Sequence, residues 1–375
     1  MESYKSISPV SCVFVSGIKS RSPSCNELSL ISANNDLSKI DVSFKNDYSG
    51  LINKFIIVPD DIFTTNFNVL NIDDVFILRH IVGYIFKTFF ERMDYHRVNS
   101  ICLKGFIKDV CDRYNDVSYH NFYHATHILH TTYVLLDQCG LFNKLNSDIL
   151  FSILISALVH DIGHPGNNNL FEINTCSELA CRYNDLSVLE QYHCHLAFEL
   201  IKKHAIFQNY PHDEFIVCRK TIINCILGTD MANHKSIFET MKMKKENGFN
   251  FQSIDEQYLL AKIFVHAADI GNPIQEYELC KTWAKKVSLE VYLQTEKEKE
   301  KGLKPFTSFN INSSASFYNH EIRYITYICK PYWKILSEIY NELTPLYNQI
   351  LINNDIYSKK LSEIEKFDDS NLEEY

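Results

Sequence analysis

From Ile72 onward, apolar and polar side chains follow one another with the spacing of helices. Val75, Ile77, Leu78, Ile81, Val82, Ile85, Phe86 and Phe89 recur at intervals of three and four, which puts them on one helix face turned toward a core. The same spacing predicts helices over 100–114, 120–138, 147–164, 176–183, 186–205, 214–228, 232–245, 255–270, 273–294 and 315–351. The densest apolar stretch, Ile149 to Val159, is well short of the roughly 20 residues that span a bilayer and runs straight into His160 and Asp161, so it reads as a core helix. Residues 1–65 are rich in Ser, Asn, Asp and Gly, with brief apolar patches such as Val13-Phe14-Val15, and predict a mostly unstructured lead-in. The run Glu296 to Lys301, followed by Gly302 and Pro305, predicts a long surface loop between two late helices. The chain turns acidic from Glu363. The pattern as a whole predicts an all-α domain, a compact multi-helix bundle over 66–365, with an acidic tail at 366–375.

Composition narrows this further. With 46% apolar residues in 375, the chain can bury a sizeable core, and its few breakers, 11 Gly and 9 Pro, fit helices better than many-turned β structure. A net charge of -9 argues against nucleic acid and anionic membrane as partners, because both are held by clustered Lys and Arg. The 12 cysteines form no C-x-x-C pair, which predicts free thiols in a reducing compartment and hence a cytoplasmic protein. The N-terminus lacks a basic stretch followed by a long apolar one, and Glu2 is not the glycine that myristoylation needs.

Three clusters carry candidate chemistry. His120 and His124 lie four apart and would share one face of a helix; on their own they are as easily packing residues as ligands. The stretch over 147–164 drives an apolar helix inward and ends it with His160, Asp161 and His164 ahead of Pro165 and Gly166. Those side chains would cluster on the last turn, where the helix dipole favours a cation. The alternative is a surface cap, but an unpaired buried carboxylate costs several kcal/mol unless a metal or partner compensates it. A second apolar helix repeats the design and places His266 and Asp269 ahead of Gly271 and Pro273. His and Asp from separated segments suit divalent ions, imidazole favouring zinc and carboxylate with water favouring magnesium or manganese.

The strings YHNFYHA, HDIGHPGNNN, INTCSELACRYND, SVLEQYHCHLAF, GTDMANH, HAADIGNP and KPYW stand in an order and spacing that resemble the catalytic domain of class I cyclic nucleotide phosphodiesterases. The resemblance covers about residues 66–365. It implies a helical bundle with two divalent ions: zinc held tightly by His124, His160, Asp161 and Asp269, and magnesium or manganese bridged through Asp161 and otherwise coordinated by water. His164, Glu190 and Thr229 match positions that hydrogen-bond those waters. His193 matches one histidine of a family pair whose other member is Tyr192 here. His120 corresponds to the general acid, with Glu190 helping to keep it charged, and a hydroxide bridging the ions is the expected nucleophile.

For the base pocket, the resemblance puts the family's purine-reading glutamine at Glu321, counted back from Pro331 and Trp333 without a gap. It puts the stacking aromatic at Tyr324 and the opposite jaw at Val287, with Tyr119, Ile270 and Asn272 nearby. An ionised carboxylate only accepts hydrogen bonds. Guanine offers it two donors, whereas adenine also presents an unprotonated N1, so cGMP should be slightly favoured over cAMP. A register shift in the preceding loop would instead leave Glu321 a surface charge. Two rivals remain: an HD-type phosphohydrolase acting on other nucleotides, and a cyclic-nucleotide-binding protein that has lost catalysis. The chain has no room for an appended sensor module, which predicts constitutive activity.

Overall fold

A run apolar on every face can be satisfied only where it is surrounded, and the helix over Ser147–Val159 is buried on every side from Asp148 to Val159. The computed structural model describes the chain from Val58 to Leu372, and its side chains as far as Glu365. The helices in order are α1 (Val75–Met93), α2 (Ser100–Arg113), α3 (Phe122–Gln138), α4 (Ser147–Val159), α5 (Asn169–Asn174), α6 (Glu178–Tyr183), α7 (Val188–Lys203), α8 (His212–Gly228), α9 (His234–Asn247), α10 (Ile254–Asp269), α11 (Tyr277–Glu300), α12 (Ser314–Tyr324), α13 (Lys330–Ile339) and α14 (Thr344–Leu372). Among the described residues no strand forms, and no helix is long and apolar enough to cross a membrane. The ten described cysteines are unpaired.

Helix α4 lies at the centre, packed on α8, α3 and α10. Its two buried hydroxyls cost little there, because Ser152 donates to the Asp148 carbonyl at 2.7 Å and Ser156 to that of Ser152 at 2.6 Å. The helices start where short polar side chains can cap them: Asp74 accepts from the Phe76 N–H, Asn99 from those of Ile101 and Cys102, and Asn146 from that of Asp148. Aromatic rings from α1 and α4, including Phe86, Phe89, Phe90 and Phe151, close one end of the core.

Several boundaries differ from the sequence expectation. The predicted loop at Glu296 is helix: α11 runs to Glu300, and Gln294 and Glu298 turn inward from it. The predicted helix over 315–351 is interrupted by a wider π turn at Ile325–Cys329. Pro331 has no N–H to continue the ladder, and the Lys330 N–H reaches back five residues to Ile325. The lead-in expected to last to 65 is already packed at Ile62, and the acidic end beginning at Glu363 continues α14 to Leu372. Most of the lead-in, residues 1–57, lies outside the described residues.

Candidate metal centre and active site

Three elements deliver one cluster of four side chains. His124 comes from the first turn of α3, whose N-cap Asn121 accepts from the Tyr123 and His124 N–H groups. His160 and Asp161 follow α4, and Asp269 ends α10. The His160 Nε2 lies 3.0 Å from Asp161 Oδ2, 3.3 Å from Asp269 Oδ1 and 3.1 Å from the His124 Nε2, while His124 Nε2 is 3.3 Å from each carboxylate.

These distances test whether a cation fits. A tetrahedral ion with bonds of about 2.0–2.1 Å to N and O separates its ligand atoms by about 3.3 Å, close to the spacing observed. The His160 Nδ1 donates to the Ala157 carbonyl at 3.0 Å, which fixes the ring and leaves Nε2 as the nitrogen that faces the other three ligand atoms. Burial disfavours charge on both aspartates, but the facing imidazoles outweigh it and hold the two carboxyls below their usual range. Convergent ring nitrogens and carboxylates in a buried setting are what a divalent ion compensates.

The sequence expected α4 to continue to His164, with its three polar side chains on one turn. The structure ends the helix at Val159 and folds 160–163 into tight turns, so that His160 and Asp161 face the cluster while His164 swings aside. Gly163 makes this possible: its φ is +76°, and a Cβ there would sit 2.5 Å from Leu196 Cδ1. His120 likewise precedes α3 rather than sharing its face, yet its ring still meets that of His124 edge-on at 5.6 Å.

His120 Nε2 is 4.0 Å from Asp161 Oδ2, and its Nδ1 is paired with Glu290 from α11. Glu290 also accepts the Tyr119 N–H at 2.9 Å. Burial opposes a charged His120, but Glu290, with Asp161 and Asp269, raises its pKa above the ordinary value. Burial would raise the Glu290 carboxyl, but the His120 charge pulls it down to about 2. His164 stacks on His120 at 3.9 Å and stays neutral, through burial first and then repulsion from its neighbour.

Glu190, expected to keep His120 charged, does something else. Its carboxylate accepts from the Asn169 amide at 2.9 and 3.2 Å, and burial, then Asp230, pushes its pKa up to about 7. A group near half protonation is a poor counter-ion, and Glu290 occupies that place instead. The sequence carried one signal for Glu290: with Gln294 and Glu298 it forms a polar stripe at intervals of four on a helix otherwise rich in lysine and glutamate. His193 donates from Nδ1 to the Ile162 carbonyl at 2.7 Å, leaving Nε2 3.7 Å from Asp161 Oδ1. Thr229 donates to the Ile226 carbonyl at 2.8 Å.

His120, Asp161, His164, Asn169, Glu190, His193, Thr229 and Asp269 line a cavity of about 420 Å³. Of the expected base-pocket residues, Asn272 donates to the Tyr119 hydroxyl at 2.8 Å, and its Oδ1 is buried without a partner. The Tyr324 hydroxyl donates to the Ile270 carbonyl at 3.2 Å. Val287 packs half-buried on α11. Glu321 is not a surface charge: it is 6% exposed, close in electrostatic reach to Cys280, Cys329 and Tyr357, and burial raises its carboxyl to about 8.

Residues 119–350, more than half of the chain, match the family described as 3'5'-cyclic nucleotide phosphodiesterase. The chain belongs to that family. Over 344 residues it is 33% identical to the cGMP-specific 3',5'-cyclic phosphodiesterase alpha of Plasmodium falciparum (isolate 3D7), covering 88% of this chain and 34% of the relative. It is 30% identical over 276 residues to the human high affinity cGMP-specific 3',5'-cyclic phosphodiesterase 9A, covering 73% of this chain and 46% of the relative. The chain thus spans less than half the length of these curated relatives. Among solved structures, the phosphodiesterase domain of the RhoPDE fusion protein from the choanoflagellate Salpingoeca rosetta superposes with a TM-score of 0.76 at 32% identity, covering 81% of this chain and 97% of that one. Membership of the phosphodiesterase family implies use of divalent metal, which the His124, His160, Asp161 and Asp269 cluster fits.

Proposed function

We propose that the chain hydrolyses 3′,5′-cyclic purine nucleotides to 5′-monophosphates, cGMP slightly ahead of cAMP. The observation that carries this is the convergence of four ligand atoms beside a charged imidazole at one cavity. His124, His160, Asp161 and Asp269 would hold the tighter ion, zinc by the chemistry of its two imidazole nitrogens, and Asp161 would share a second, magnesium or manganese. Bound divalent ions supply Lewis acidity to the phosphate and acidify water toward neutral pH. His120 donates a proton from Nε2 to the departing 3′ oxygen as the P–O3′ bond breaks, because its Nδ1 is committed to Glu290. His193, His164 and Thr229 orient water in the cavity. A net charge of -9 accords with a partner other than nucleic acid, and the free cysteines accord with a cytoplasmic protein.

Both rivals make different predictions. An HD-type enzyme for other nucleotides would spare the cyclic diester, and a binding protein would turn over nothing. Assaying cAMP and cGMP hydrolysis with and without chelator separates this reading from both rivals; activity on either cyclic nucleotide that chelation abolishes supports it. Hydrolysis of neither would sink it.

Glu321 makes the guanine preference depend on pH. Raised to about 8, its carboxyl is mostly protonated at neutral pH and offers one donor and one acceptor, a pairing that suits either purine edge. Above that value it ionises and only accepts, which suits guanine. The ratio of kcat/KM for cGMP over cAMP should therefore rise between pH 6.5 and 8.5, by about 3- to 10-fold, the scale of one net hydrogen bond. In Glu321→Gln the ratio should stay flat, and a parallel rise there would remove Glu321 from base reading.

A further inference from the structure

The inward stripe of α11 does not end at Glu290. One and two turns on, Gln294 and Glu298 continue it along the same helix face, and both are buried, Glu298 to 2% exposure. The Gln294 Oε1 accepts the Asn168 N–H at 2.8 Å, and its amide donates to Asn168 Oδ1 at 3.1 Å and to Glu298 Oε1 at 2.8 Å. Lys297 reaches Asn167 Oδ1 at 2.9 Å. One helix face thus braces His120 at one end and the segment after the histidine-aspartate turn at the other.

Glu298 has a second use. Just beyond it α11 ends in a reversal: Gly302, at φ +68°, donates to the Lys299 carbonyl at 3.0 Å, and Leu303 donates to that of Glu298 at 2.8 Å. The chain turns back, and the other carboxylate oxygen, Oε2, accepts the Phe306 N–H at 2.7 Å. Phe306 is 54% exposed, and it lines the cavity that holds His120, Asp161 and Asp269. Leu170 and Met231, also exposed, line the same cavity from two other elements. An apolar ring held at the mouth of a charged cavity has no core to join; what it can cover is a bound molecule.

We propose that Phe306 packs against the sugar-phosphate end of the bound substrate, and that Glu298 is a positioning residue which holds it there. This rests on the cyclic nucleotide reading of the cavity. A buried carboxylate with two accepted hydrogen bonds fixes a loop that would otherwise cross the mouth without a set distance, so its effect falls on substrate binding rather than on the chemical step.

The test compares cyclic nucleotide hydrolysis by the parent with Phe306→Ala, Glu298→Ala, Glu298→Gln and the double alanine variant. Both alanine variants should raise KM about 5- to 10-fold with kcat within about 2-fold, the loss expected for one aromatic contact. Glu298→Gln, which keeps an acceptor for the Phe306 N–H, should restore most of the affinity, and the double variant should be no worse than Phe306→Ala alone. An active parent with unchanged KM in Phe306→Ala, or additive losses in the double variant, would overturn this inference alone. A parent that cleaves neither nucleotide would overturn it together with the function it rests on.

Discussion

Asp269→Asn should yield a folded chain that has lost its tightly bound ion and more than about 1,000-fold of its kcat/KM, the scale at which the Lewis acid and the acidified water both disappear. Asparagine keeps the shape of the side chain at the end of α10 but removes one of two negative charges facing His124 and His160 at 3.3 Å. Two neutral imidazoles and a single carboxylate are a weaker set for a divalent cation, and the amide nitrogen, in one of its two orientations, points a donor at the ion. Metal analysis after dialysis, alongside turnover, checks this. Full metal content in the variant would mean that Asp269 is a neighbour of the centre and not a ligand. Secondary structure should be unchanged, because α10 is held by its apolar faces against α8, α3 and α4.

What could be read in advance followed from how local each feature is. The apolar run at Ile149–Val159 demands a buried helix wherever it sits, and a carboxylate at the end of such a run demands compensation, so Asp161 and Asp269 stood out from sequence. Helical spacing misplaced His120 and His164, because Asn121 caps α3 after His120 and Gly163 breaks the chain before His164. The partner of His120 was the largest miss. Glu290 lies 170 residues away, a lone carboxylate between Leu289 and Val291 on the predicted 273–294 helix, and only tertiary packing brings it to His120. The same packing converts Glu298 from a predicted loop residue into a buried acceptor, and it buries Glu321, which a register shift would have left a surface charge.

The pairing of Glu290 with His120 carries the second large effect. His120→Ala should lower kcat by about 100- to 10,000-fold, the usual contribution of a general acid, while bound metal stays at the parent level. A leaving group that needs no proton separates this from general damage: hydrolysis of bis(p-nitrophenyl) phosphate should fall far less than that of a cyclic nucleotide. Glu290→Gln should cost less, about 10- to 100-fold, because the imidazole remains but loses both its orientation and its counter-charge. The sign of the pH effect follows. Burial lowers the pKa of His120, and the Glu290 charge more than offsets it; without that charge His120 loses its proton at lower pH. Catalysis requires the protonated ring, so the alkaline limb of the kcat/KM profile should move to lower pH in Glu290→Gln, and activity near pH 6 should suffer least. An unchanged alkaline limb would separate Glu290 from the proton that His120 delivers, and leave it as no more than a support for the Tyr119 backbone.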